Sequence, residues 1–234
     1  MKKILQNKFI IFVITLVLFF ISSLFQLIPI YIFKLDINSL TEYQKILLTI
    51  FSSTVTAAIL IFIYHKDLKK DWIDFKKNKS LILNDAFQIW VLGLVIMAVS
   101  NIIINKFSPN IIANNEKSIR QMISAAPYFM LINTAILAPI VEELVFREAF
   151  RKAFKNDVLF VLLSGIIFGS LHVITSIKNV YDYLYLIPYC SLGLSFSYMH
   201  YKTKNIYAPL TMHIVHNTIM TILNIISIGM ILWG

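Results

Sequence analysis

The chain has 234 residues, 58% of them hydrophobic and 14% charged, with a mean hydropathy of +0.76, a balance that excludes an ordinary water-soluble domain. A net charge of +9 would suit a nucleic-acid partner, but the basic residues sort by connection as membrane topology does, so no nucleic-acid partner is assigned. The single cysteine, Cys190, rules out an intrachain disulfide and a Cys-rich metal site, and reads as a packed, inert thiol.

Lipid must be the solvent for most of the chain. A bilayer core about 30 Å thick asks for roughly 20 apolar residues per helix, and only helices or closed barrels satisfy their backbone there. The apolar runs lack the two-residue alternation of a barrel. The expected fold is therefore all-α, a polytopic transmembrane helical bundle of about seven or eight membrane helices. We treat 1–234 as one integral membrane domain, with a catalytic core over 126–220.

In chain order the predicted spans are 9–31, 46–64, 86–104, 126–150, 157–177, 183–201 and 206–233. The first reads as a retained anchor, since its apolar run exceeds a signal-peptide core and no small-residue cleavage site follows. The connection over 65–85 is Lys-rich and holds Trp72 and Phe75, a mixture that suits a headgroup layer. It and the polar connection over 105–125 are read as interfacial, each with room for a short surface helix. Gly165 and Gly169 read as a close helix contact. The last run, 28 residues long, exceeds one crossing, and Ser227 and Gly229 allow a bend or an eighth element. No period of 20 to 50 residues repeats.

Fifteen of the 21 Lys and Arg residues fall on alternate connections beginning with the N-terminus. That bias predicts a cytoplasmic N-terminus. Richness in Ile, Lys and Asn suggests an AT-rich genome, and with it a multi-pass protein of a bacterial plasma membrane; depth counted from the cytoplasmic charges is expected to open the active site to the cytoplasmic side.

Ionisable groups inside spans are rare and expensive, so they point to chemistry. They concentrate in the C-terminal half: Glu142, Glu143, Arg147, Glu148, His172, His213 and His216, with Asn217 beside them. Counted at 1.5 Å per residue from the charges at the span ends, Glu142, His172 and His213 lie about 14–22 Å along their helices. A shared pocket follows from that common depth. His213 and Asn217, four residues apart, share a helix face, while His216 is turned aside and reads as packing. His65 and His200 read as interfacial.

Glu142 and Glu143 diverge by about 100° and cannot both face one point. Glu143 is placed to pair with Arg147, and Glu148 with Lys152, both at i,i+4 in the favourable order. Glu142 is left without a local partner, which suits it to take a proton from water. A neighbouring imidazole can share that water, and a His with an Asn amide one turn away supplies two donors to a developing oxyanion. Pro139 cannot donate to the carbonyl of Ala135 and is expected to kink the span beside the site.

These residues resemble the CAAX-processing and bacteriocin-processing intramembrane proteases. The resemblance rests on Glu142-Glu143-Leu-Val-Phe-Arg147, matching an EExxxR motif, on Phe168-Gly-Ser-Leu-His172, matching FxxxH, and on His213-Ile-Val-His-Asn217, matching HxxxN. It implies that Glu142 is the general base, that His172 helps position the water, and that His213 and Asn217 form the oxyanion hole. Glu143, Arg147 and Phe168 become structural supports of the site. It implies no cofactor, although Glu142, His172 and His213 would also make a three-ligand zinc site. The expected partners are the bilayer and a membrane-associated or lipid-linked peptide or protein, for instance a prenylated C-terminus or a bacteriocin leader. The alternatives are a catalytically silent bacteriocin-immunity or regulatory protein, and a proton-coupled transporter, against which the absence of paired repeats argues.

Overall fold

The computed structural model describes residues 7–107, 114–174, 177 and 180–233, and among them there is helix but no strand. The first helix, α1 (Lys8–Ile21), begins where Asn7 Oδ1 accepts hydrogen bonds from the backbone N–H groups of Phe9 and Ile10. It passes through a 3₁₀ turn at Ser22–Gln26 into α2 (Leu27–Ile32). Phe9, Val17, Phe20 and Leu24 face outward, as expected of a helix whose outer solvent is lipid. Phe12 and Leu18 pack into the core, and the Thr15 hydroxyl meets the Tyr64 hydroxyl at 2.7 Å.

The next helix, α3 (Glu42–Phe107), runs 66 residues with one non-helical position, Asn78 at φ −115° and ψ 21°. Two spans and a loop are expected there, and the structure replaces the loop with continuous helix bent at a single residue. Asn78 tolerates that bridge-region conformation, and its side-chain amide donates to Asp74 Oδ1 at 2.7 Å. The helix doubles back at the bend. Near its start Ile46 packs with Ile123 and Met130, and near its end Ile104 packs with Val173 and Tyr185. Between them Asp71 accepts the Ile206 N–H and Asp85 pairs with Lys202. The two arms occupy the places of the expected spans 46–64 and 86–104.

The remainder is α4 (Asn114–Ala125), α5 (Pro127–Ile132), α6 (Ala138–Glu143), α7 (Phe150–Ala153), α8 (Asp157–Ile174), α9 (Leu186–Thr203) and α10 (Tyr207–Trp233). α4 is the short helix for which the connection over 105–125 has room, and positions 108–113 lie outside the described residues. α5, α6 and α7 form one continuous rod joined by π-helical turns at Asn133–Leu137 and Leu144–Ala149. The change of helical register falls on the turn just before Pro139, where a kink is expected. α8 and α9 pack closely through glycines, as read for Gly165 and Gly169. A Cβ on Gly165 would meet the Leu194 backbone at 2.7 Å, and one on Gly169 the Cys190 backbone at 2.6 Å. Cys190 is a half-buried free thiol at that contact.

Among the described residues, five helices are long and apolar enough to cross a membrane: Lys8–Ile32, Glu42–Lys106, Pro127–Ala153, Asp157–Ile174 and Tyr207–Gly229. The second is the doubled α3. α9, in the place of the expected span 183–201, is not among the five. The fold is that of an all-α polytopic membrane protein.

Candidate active site

The rod α5–α6–α7 brings Glu142 and Glu143 against α10, and the two carboxylates take opposite sides of one imidazole. His213 Nδ1 lies 2.8 Å from Glu143 Oε1, and its Nε2 lies 3.4 Å from Glu142 Oε2. Adjacent positions on a helix diverge by about 100°, so a ring wedged between them meets one carboxylate at each nitrogen. The surroundings of the two carboxylates differ. Glu143 is fully buried and its Oε2 lies 3.2 Å from Arg147 Nε, whereas the Glu142 side chain keeps 19% exposure. The contact between Glu143 and His213 is additional to what helical spacing predicts.

Arg147 is itself fully buried. Its guanidinium lies over the Phe168 ring at 4.5 Å, and Nη1 donates to Ser164 Oγ at 3.4 Å. Phe168 thus carries the cation on one side while its ring also meets His172 at 4.6 Å and His213 at 5.8 Å between centroids. One aromatic residue gathers three polar groups from three helices. His172 donates from Nδ1 to the Phe168 carbonyl at 2.9 Å, which leaves Nε2 as the acceptor of a neutral ring. Tyr189 stacks on His172 at 5.4 Å, and Phe196 stacks on His213 at 4.7 Å.

Asn217 is held by a feature of the π turn. The Ala138 N–H donates to the Asn133 carbonyl, five residues back, so in that register the donor to the Thr134 carbonyl would be residue 139, a proline without an N–H. The Asn217 amide takes the vacant place, donating to the Thr134 carbonyl at 2.8 Å. One of its two amide hydrogens remains for another acceptor.

Glu142, His172, His213 and Asn217 all line one cavity of about 560 Å³. His216, read from spacing as turned aside, lines it too, edge-on to Trp90 at 6.5 Å. The α3 arm that packs beside α10 makes a wall of the face His216 occupies, which spacing on a single helix does not show. The cavity lining reaches Asn105, Glu116 and Arg120 and includes no residue of the Lys-rich bend. Among the described residues, the three-ligand group of His, Asp and Glu atoms that cluster within 4.8 Å is Asp71, Glu148 and His200, not Glu142, His172 and His213. His200 is correspondingly buried rather than interfacial, 3.8 Å from Glu148. His65 is exposed and stacks on Phe62, as an interfacial group would.

Sequence reasoning does not single out Thr134, Tyr189 or Phe196. The position of Thr134, five residues before a proline, is a legible signal once a π register is considered. Tyr189 and Phe196 sit on a helix without a motif and give none.

Fold and site together define a helical membrane protein with a carboxylate–imidazole pair on the wall of an intramembrane cavity. Residues 124–219 match the family model described as Type II CAAX prenyl endopeptidase Rce1-like. It is 31% identical over 116 residues to a Bacillus subtilis (strain 168) protein named "Putative membrane peptidase YdiL", covering 48% of this chain and 44% of that one. It is also 27% identical over 207 residues to an uncharacterized protein of Mycoplasma capricolum subsp. capricolum, covering 82% of this chain and 59% of that one. The chain thus spans about half the length of these relatives. No solved structure matches it.

Proposed function

We propose that the protein is an intramembrane endopeptidase that hydrolyses a peptide bond of a membrane-associated or lipid-linked substrate with water activated by Glu142. The observation that carries this reading is the imidazole of His213 held between Glu142 and Glu143 on the cavity wall. In the proposed reaction Glu142 takes a proton from a water oriented by His172, the oxygen adds to the scissile carbonyl, and Glu142 returns the proton to the leaving amine. His213 and Asn217 donate to the oxyanion. Glu143, backed by Arg147, fixes the His213 ring through the 2.8 Å contact at Nδ1 and leaves Nε2 on the side of Glu142.

The reading is metal-free, with zinc held by Glu142, His172 and His213 as its alternative. Met97, Met122, Met130, Leu192 and Met220 give the cavity a pliable apolar wall, which suits a lipid chain or an extended apolar peptide. The proposed setting is a bacterial plasma membrane with a cytoplasmic N-terminus. Because the lining runs toward Glu116 and Arg120 and away from the Lys-rich bend, that topology gives access from the opposite face, against the cytoplasmic opening expected from charge.

The test is cleavage of candidate lipid-linked peptides by purified protein, with Glu142→Ala and His172→Ala controls, each with and without chelator. Both substitutions should abolish cleavage. Unchanged cleavage in both would overturn the protease reading and leave the regulatory one. Loss of wild-type cleavage in chelator together with loss of bound zinc in His172→Ala would replace the metal-free mechanism.

A further inference from the structure

A second buried polar cluster lies on the same stretch of rod, at Glu148 immediately after Arg147, and takes no part in the proposed mechanism. Asp71 comes from α3, Glu148 from the second π turn and His200 from α9. Each is at least nine-tenths buried, and none of the three lines the cavity. We propose that Asp71, Glu148 and His200 bind one divalent transition-metal ion, Zn²⁺ or Mn²⁺, which ties these three elements together.

The first argument is geometric. One ligand atom from each residue lies within 4.8 Å of the others. Carboxylate oxygens and imidazole nitrogens sit about 2.0–2.2 Å from zinc, so two ligands of one tetrahedral ion stand about 3.3–3.6 Å apart. The 3.8 Å between His200 Nε2 and Glu148 Oε2 is close to that spacing and outside hydrogen-bond range. The rest of the group would draw in on binding by side-chain rotation of about an ångström.

The second argument is the seating of the ring. His200 is 5% exposed, and its Nε2 meets Glu148 Oε2 at a distance too long for a hydrogen bond. An ion between the two would take Nε2 as a ligand and fix the tautomer that carries the hydrogen on Nδ1.

The third argument is charge. Asp67 and Glu148 share a single ammonium: Lys152 Nζ lies 2.8 Å from Asp67 and 3.3 Å from Glu148 Oε1. Asp71 accepts the Ile206 N–H on Oδ2 at 2.9 Å and makes no ion pair among the described residues. Buried carboxylates without a counter-charge are strongly disfavoured. Lys152 occupies Oε1 of Glu148 and leaves Oε2 on the His200 side, so an ion there completes the balance without displacing the ammonium. Two carboxylates and one imidazole suit borderline divalent ions better than thiophilic ones.

Protein purified in detergent and stripped of metal should take up one equivalent of Zn²⁺ or of Mn²⁺, each added alone and counted by elemental mass spectrometry, with a rise in unfolding temperature. Glu142→Ala and His172→Ala should bind as the wild type does. His200→Asn and Asp71→Asn should bind at least about tenfold more weakly, the loss that removing even an outer-sphere partner causes. Pulsed EPR of the Mn²⁺-loaded wild type needs no substitution, and should read a single imidazole nitrogen. Two imidazoles on the ion, or uptake lost in His172→Ala, would place the metal in the cavity and overturn the assignment. Absence of uptake at micromolar metal would overturn it as well.

Discussion

Two clusters of buried charge sit a turn and a half apart on the same rod, and they differ in what they face. Glu142 and His213, backed by Glu143, stand at the wall of a cavity of about 560 Å³, whereas Glu148 and His200 are buried between the rod, α3 and α9 beside the ion pair of Lys152 with the half-exposed Asp67. Both contain carboxylates, a histidine and a cation. A list of intramembrane ionisable residues therefore ranks them equally. What separates them is the cavity, which the first cluster lines and the second does not. Arg147 lies between the two and serves the first through Glu143.

The largest effect that tests this contrast is expected from paired amide substitutions. Glu142→Gln should lower the rate of peptide cleavage by about 10²–10⁴, the range for loss of a general base, with little change in unfolding temperature. Glu148→Gln should do the reverse, shifting thermal unfolding and its response to Zn²⁺ while cleavage stays within a few-fold. Comparable loss of cleavage in both variants would erase the functional distinction between the clusters.

Arg147→Ala comes next. It removes the cation from a fully buried carboxylate, and breaking such a pair costs about 3–5 kcal/mol. Thermal or denaturant unfolding in detergent reads the loss. Arg147→Lys should recover part of it, since a lysine restores charge but not the planar group that lies on Phe168. Full recovery by lysine would show that stacking adds nothing.

Much of this architecture is legible in the residues. Apolar run lengths place helices over all seven expected spans, because in lipid the backbone has no other open solution. Spacing separates Glu142 from Glu143 and pairs Glu143 with Arg147, because i,i+4 geometry is local. What spacing does not reach is any contact between helices: the Glu143–His213 bond, the presence of His216 in the cavity, and the burial of His200 against Glu148. The bend of α3 at Asn78 is also hidden, since a polar, Lys-rich stretch reads as a connection until tertiary contacts with Asn205 and Ile206 hold it in helix.

The smallest predicted effect isolates the hold on Asn217. The Thr134 carbonyl lacks a backbone donor because position 139 is proline and the turn before it runs in the π register. Asn217→Ala in the wild type should then cost about 1–3 kcal/mol of stability, the penalty of a buried acceptor left alone. Pro139→Ala restores an N–H at the position where the π register requires one. In that background the same Asn217→Ala substitution should cost less, with a coupling of about 1 kcal/mol between the two sites in a double-mutant cycle read by unfolding in detergent. Strict additivity would mean that Asn217 is held by something other than the carbonyl the proline leaves free.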